Sequence, residues 1–399
     1  MKILVVLPRF PYPLDKGDKL RAYHQIVELS KRHDIYLFSL SHQKVQHDNY
    51  NHLQTYCTAV NYTQLHWWES AWGIFKAFLN GQPLQSGYWN SCRARRAYAK
   101  WEREIQPDVV YCQMVSTIPT IGYPLPATRY VLDFQDALSL NTHRRMECSH
   151  GMLKWILRYE YKALQRMEQE ALRRFDATTI ICSIDRDAIS SEVALVPNGV
   201  DTDFFRRETF DVRHETAMPL SSHYSLVFTG NMSYAPNVDA ARFLVMKIMP
   251  LVWKHIPSAT VLLAGADPKP AVRMLASERV FVSGRLNDIR QAYASSEVFV
   301  APMRIGSGLQ NKLLEAMAMQ LPCVTTSLAG NPILSPLITP SFPFLVGDDT
   351  QTLAEHLIRL LTDKQYANNL ADEGNRFVQK HYSWSAAVAP LEKILNSKL

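Results

Sequence analysis

The feature that most constrains this chain is an alternation: short apolar, β-branched runs separated by stretches of helical periodicity. Residues 1–8 (MKILVVLP) form such a run, ended by a proline. In residues 17–32 the apolar positions Leu20, Tyr23, Ile26, Val27 and Leu29 recur at helical spacing. Strand signals return at residues 34–40, 108–112, 129–133 and 177–183, with helical stretches between them. The grammar restarts beyond residue 200, with strands expected at 226–229, 260–264, 280–283, 298–301 and 322–326 and helices at 238–255, 289–295 and 308–320. Strands that alternate with helices pair in parallel and are covered on both faces. The expected fold is therefore α/β, with two doubly wound Rossmann-like domains. The boundary is expected near residues 198–200, a polar linker at 206–222 and a wholly helical end beyond Thr350.

Composition narrows the function. With 399 residues there is room for two or three domains, each with its own core. Apolar residues make up 47% and charged residues 20%, which excludes a disordered chain. The net charge of +6 favours anionic partners, yet no dense basic stripe marks a nucleic-acid binder. The apolar run at residues 3–7 is too short for a secretory leader. No window approaches the ~18 apolar residues of a membrane span, so a cytoplasmic protein is expected. The six cysteines, at 57, 92, 112, 148, 182 and 323, have no zinc spacing and read as reduced thiols.

Residues 62–98 concentrate Trp67, Trp68, Trp72, Phe75, Phe78, Tyr88 and Trp89 and include Arg93, Arg95 and Arg96. Trp68, Trp72, Phe75 and Leu79 lie at i, i+4, i+7 and i+11 and read as the buried stripe of an ordinary helix. The competing reading is contact with a membrane surface or lipid acceptor through residues 67–96.

The chemistry concentrates in residues 301–326 (APMRIGSGLQNKLLEAMAMQLPCVTT). A strand ends at Ala301, a two-glycine loop follows, and a helix is expected to start near Gly308. Exposed amides at a helix start attract phosphate, with Ser307 adding a hydroxyl and Arg304 and Lys312 adding positive charge. Gly308, Lys312 and Glu315 would share one helical face, the order needed to hold a diphosphate and then a ribose. Glu315, within an apolar helix, needs a partner, which ribose hydroxyls would supply. In the first half, Lys16, Gly17 and Asp18 follow the first strand, where open α/β sheets bind ligands. They read equally as acceptor or phosphate contacts and as a turn with a helix cap.

At this point the sequence resembles the large retaining glycosyltransferases of the GT-B fold, group 1 or family 4. The carriers are residues 196–201 (VPNGVD) with Phe204 and Phe205, residues 281–286 (FVSGRL), the block 306–324, Val346-Gly347-Asp348, and Tyr382-Ser383-Trp384. A narrower likeness, to sugar transferases of PEP-CTERM/exosortase and exopolysaccharide systems, rests on residues 9–18, 133–139 and 228–239.

The resemblance implies two Rossmann-like domains facing across a cleft: 1–200 for the acceptor and 201–383 for the nucleotide-sugar donor. The helix 384–399 would return to the first domain. It implies transfer of a sugar from a UDP- or GDP-linked donor to an acceptor hydroxyl on a glycan or lipid-linked molecule. Configuration is retained and neither metal nor other cofactor takes part. Gly284, Arg285 and Leu286 fall where the family grips the base, and Leu309 joins Ser307 and Gly308 in the donor loop.

The chain departs from the family at three places. Ser307 stands where many members have a glutamate eight residues before Glu315. Gly230-Asn231 leads to Pro236-Asn237 instead of the usual basic pair, which shifts weight to Arg304 and Lys312. Many relatives place a histidine near the reacting sugar at the end of a first-domain strand, but the corresponding regions here read Tyr111-Cys112-Gln113 and Asp133-Phe134-Gln135-Asp136. Asp136, or secondly Asp133, is therefore the expected cleft carboxylate, with helix capping as the alternative for either. A non-catalytic nucleotide- or glycan-binding subunit and a GT-B nucleotide-sugar epimerase are the competing functions. A dehydrogenase is disfavoured because no G-x-G-x-x-G follows the strands at residues 3–7 or 226–229.

Overall fold

The computed structural model describes residues 1–122, 125–207, 223–306, 308–334 and 342–397. The chain divides into two compact units, Met1–Pro197 with Ala387–Leu399, and Asn198–Ala386.

The first unit is built on seven parallel strands, β1 (Lys2–Leu7), β2 (Asp34–Ser41), β3 (Ala59–Gln64), β4 (Val109–Gln113), β5 (Arg129–Asp133), β6 (Ala177–Ile180) and β7 (Ala194–Leu195), in the order β3-β2-β1-β4-β5-β6-β7. Leu4, Val6, Phe38, Leu40, Val110 and Leu132 are fully buried in its core, as expected where helices cover both faces of a sheet. The helix Gly17–Ser30 turns Arg21, Ala22, Gln25, Ile26 and Leu29 inward. The last helix, Trp384–Asn396, lies on this unit from Ala387 onward, where Glu392 pairs with Arg32 and sits 3.0 Å from His33 Nε2.

The second unit has six parallel strands, β8 (Tyr224–Thr229), β9 (Val261–Ala264), β10 (Val280–Gly284), β11 (Ser296–Ala301), β12 (Cys323–Thr325) and β13 (Leu345–Val346), in the order β10-β9-β8-β11-β12-β13. Both sheets reverse their winding beside their first strand, between β1 and β4 and between β8 and β11. Such reversals open a ligand crevice at the carboxyl ends of the strands. The two-unit α/β architecture expected from the alternation is thus present.

Four local expectations are revised. The helix expected at 238–255 is Ala235–Phe243, then a wider turn at Leu244–Ile248, then Met249–His255. Pro250 lacks the N–H that a continuous helix would need there. The strand expected at 177–183 stops at Ile180, and Ser183–Ile189 is helical. The helix expected from Gly308 starts at Asn311, since Gly306 (φ +122°) and Gly308 (φ +86°) hold a backbone conformation that no right-handed helix contains. Most of the expected linker, 208–222, lies outside the described residues.

The fourth revision concerns the tryptophan-rich helix, Trp67–Leu79. The apolar stripe has the predicted spacing, but it points outward: Trp68, Trp72, Phe75 and Leu79 are all exposed. The helix packs through Ser70, Gly73 and Ala77 instead.

Candidate active site

In the second unit the loops after β8, β9, β10 and β11 gather at one end of the sheet. Gly230 follows β8 and Gly265 follows β9, and a Cβ on Gly265 would lie 1.8 Å from the Gly230 carbonyl oxygen. Only glycine permits that approach. The Gly265 N–H donates to Gly284 O at 3.1 Å, linking three strand ends.

Lys312 and Glu315 project from the helix Asn311–Ala318. Lys312 Nζ lies 2.7 Å from Asn237 Oδ1, 4.8 Å from the Phe228 ring centroid, and beside Gly230. Burial lowers its amine pKa to about 8, with Glu315 opposing. Asn237 is itself held by a 2.9 Å bond from Nδ2 to Asn231 O. Glu315 Oε2 accepts from the Tyr293 hydroxyl at 2.8 Å, and that hydroxyl is 3.0 Å from Thr229 Oγ1. Burial raises the Glu315 carboxyl pKa, while Tyr293 and then Lys312 pull it back. A cation, a carboxylate and the end of the first strand thus stand together, with the carboxylate aimed by a fully buried tyrosine.

The remaining donor-side expectations are dispersed around this centre. Arg304 is engaged rather than free: it makes a two-point ion pair with Asp239 at 2.6 and 3.0 Å and lies 4.3 Å over the Phe243 ring. Gly284 ends β10 at φ +69°, Arg285 is exposed with Asp267 3.9 Å away, and Leu286 packs partly against the core. Asn231 Oδ1 receives Ser233 N–H at 2.8 Å and its hydroxyl at 2.7 Å. Leu309 packs against the core, and Gly308 lies in the loop before the helix, off the face it was expected to share with Lys312 and Glu315. Ser307 lies outside the described residues.

In the first unit, a cavity of about 400 Å³ opens at the ends of β1 and β2 and is lined by Arg9, Lys16, Lys19, Lys44, His42 and Trp89, among others. Arg9 pairs with Asp18 and lies 5.4 Å over the Trp89 ring. Lys16 is exposed and precedes the helix that Gly17 opens, with nothing within 4 Å of a Cβ on Gly17. Asp18 therefore sits in the first turn, engaged by Arg9, and does not cap the helix. His42 packs at a tilt against the Tyr88 and Trp89 rings, with centroids 4.5 and 4.8 Å away, and its Nε2 is buried without a partner among the described residues. Burial, then Arg9, lowers the His42 pKa.

Asp133 and Asp136 separate in role. Asp133 is fully buried, and its Oδ2 accepts from Arg21 Nε at 2.7 Å and Tyr111 O–H at 2.9 Å. Arg21 goes on to Val196 O at 2.9 Å and Pro197 O at 3.1 Å. This corrects the reading of Asp133 as a substrate-facing carboxylate, because it anchors the end of the unit. Asp136 has an exposed side chain in the loop after β5. Its pKa is pushed up to about 6 by close packing first and then by Asp185, with Arg21 opposing and Asp133 and Asp18 adding to the rise.

Sequence reasoning missed Tyr293, Asn237 as the lysine's partner, Asp239, Arg9 and His42. Arg9, Asn237 and Asp239 had a signal, since they lie in the stretches 9–18 and 228–239 that carry the narrower resemblance. The others become partners only through the fold.

Two parallel-sheet Rossmann-like units of this kind share the fold of GT-B glycosyltransferase structures. Residues 223–363, all within the second unit, match the family model described as glycosyl transferases group 1. Over 394 residues the chain is 22% identical to an uncharacterized 44.6 kDa protein in the cps region of Klebsiella pneumoniae, covering 96% of each. Among solved structures, sucrose-phosphate synthase from Thermosynechococcus elongatus aligns with a TM-score of 0.67 at 14% identity, over 99% of this chain and 98% of that one. HepE from Anabaena, solved with UDP and glucose, aligns with a TM-score of 0.61 at 13% identity over 100% of both chains.

Proposed function

We propose that this chain is a retaining, cytoplasmic glycosyltransferase that takes a UDP- or GDP-linked sugar and builds capsule or exopolysaccharide. The observation that carries the donor half is the presence, at the switch point of the second sheet, of Lys312 held by Asn237 and Glu315 held by Tyr293. Further support comes from the relative in a cps region and the structural neighbour that holds UDP.

In this reading Glu315 accepts bonds from the ribose hydroxyls and Lys312 faces the diphosphate. Gly284, Arg285 and Leu286 frame the base, and Ser307, Gly308 and Leu309 with Gly230 and Asn231 border the phosphates and sugar. As the glycosidic bond breaks, its electron pair goes to the diphosphate, where charge grows, so a cation there acts most in the transition state. Arg304 contributes by leaving Asp239 for the phosphate. The acceptor hydroxyl attacks the anomeric carbon from the face the diphosphate leaves, and a phosphate oxygen takes its proton. No metal step is called for.

The acceptor half rests on the first-unit cavity. Arg9, Lys16, Lys19 and Lys44 suit an acceptor carrying phosphate, a glycan precursor or a lipid-linked one. Asp136 orders a reacting hydroxyl.

The test is turnover with a panel of nucleotide sugars and phosphate-bearing acceptors, the product's anomeric configuration being read by NMR. A product with the donor's configuration is expected. An inverted product overturns retention, and tight nucleotide binding without turnover moves the chain to the binding-subunit reading.

A further inference from the structure

The outward-facing stripe on Trp67–Leu79 requires an explanation of its own. On a helical wheel of 100° per residue, Trp68, Trp72, Phe75 and Leu79 stand opposite the packed face of Ser70, Gly73 and Ala77. The inward face is committed, because a Cβ on Gly73 would meet Gly87 O at 2.1 Å. The helix therefore cannot roll its tryptophans inward. Trp67 is 80% exposed and Trp72 57%.

A second apolar group flanks the first. The helix Gly151–Arg174 begins with exposed Met152, Leu153, Trp155 and Ile156, Met152 being 80% and Trp155 63% exposed. Its next turns are tied to the first helix: Tyr159 O–H lies 3.2 Å from Phe78 O and 3.0 Å from Gln82 O, with ring centroids 5.4 Å from Phe78. Arg166 donates to Gly81 O at 3.0 Å. Exposed apolar surface on two joined elements of a stable fold marks a contact surface.

Charge decides the occupant. Residues 66–100 and 151–166 hold nine Lys or Arg and two Glu, a net +7, while the whole chain carries +6. The rest of the molecule therefore sums to −1. Both carboxylates are engaged, Glu69 by Ser91, Arg93 and the His66 N–H, and Glu160 by the Leu84 and Gln85 N–H groups. Lys76, Lys154, Arg158 and Lys162 remain exposed around the aromatic residues. A second copy of the same face would meet it with like charge. Tryptophan beside exposed lysine and arginine matches the headgroup layer of an anionic bilayer, and among the described residues no helix is long and apolar enough to cross one.

We infer that the first unit docks on an anionic membrane surface through the outer face of Trp67–Leu79 and the opening turns of Gly151–Arg174. This surface does not depend on the donor assignment, and its test uses no nucleotide. The full chain is sedimented with phosphatidylcholine vesicles and with phosphatidylcholine–phosphatidylglycerol vesicles, beside a Trp72→Glu/Trp155→Glu variant and a Lys154→Glu/Arg158→Glu variant. Tryptophan emission is recorded alongside, and melting temperature checks folding. The wild type is expected to bind the anionic vesicles with a blue shift, and each variant to bind at least about tenfold more weakly at unchanged melting temperature. Equal binding to neutral vesicles, no binding at all, or a dimer in solution that the tryptophan variant converts to monomer without any vesicle binding would each overturn the inference.

Discussion

Lys312 offers a pH-dependent test of the donor site. Its amine pKa is about 8 because burial beside Phe228 and Gly230 disfavours the charge. The protonated fraction is then about nine-tenths at pH 7 and about one-tenth at pH 9. If only the ammonium form grips the diphosphate, apparent affinity falls with that fraction, so the Kd for UDP or GDP rises about tenfold between pH 7 and pH 9. Lys312→Met removes a charged hydrogen bond of about 1.5–3 kcal/mol, which weakens binding about 10–150-fold at pH 7. It also controls for titration of the nucleotide itself. Calorimetry across the pH range measures both. A wild-type profile that stays flat, or one that Lys312→Met reproduces with the same slope, refutes the direct contact.

Other expectations follow from the same geometry. Arg21→Met leaves the buried Asp133 carboxylate and the Val196 and Pro197 carbonyls uncompensated, and should cost about 3–5 kcal/mol, seen as a lowered denaturation midpoint. Asp136 titrates near pH 6 and is ionised above it. In the wild type kcat/KM should fall as pH drops through about 6, and Asp136→Asn should lose that limb along with most of the activity, about 100-fold or more. Gly265→Ala would thrust a methyl group to 1.8 Å from Gly230 O at a φ of +146°, so nucleotide binding should vanish even where circular dichroism shows the chain folded.

What the sequence disclosed, and what it withheld, follows from the range of the interactions. Strands β1, β5 and β11 were legible because a parallel strand buried on both faces is a continuous apolar run. β3 escaped, since AVNYTQ at a sheet edge has no such run. Lys312 and Glu315 were legible from helical spacing, but Tyr293 lies 22 positions from Glu315 and Asn237 lies 75 from Lys312, distances only the fold closes. Asp133 looked like Asp136, a carboxylate at a strand end, and nothing local revealed Arg21, 112 positions away. The tryptophan helix shows a different limit. Periodicity reveals that a stripe exists, not which way it faces, and here Gly73 against Gly87 settles the side.

The donor assignment meets its most direct test in a thermal-shift panel of UDP, GDP, ADP and their sugar conjugates, run on the wild type and on Glu315→Ala. A ligand at about 100 times its Kd stabilises by about 2.7 kcal/mol, well within reach of the method. One nucleotide series should raise the wild-type melting temperature and leave Glu315→Ala unmoved, which also names the base. No shift with any nucleotide, or the same shift in the variant, contradicts the placement of the donor on Lys312 and Glu315.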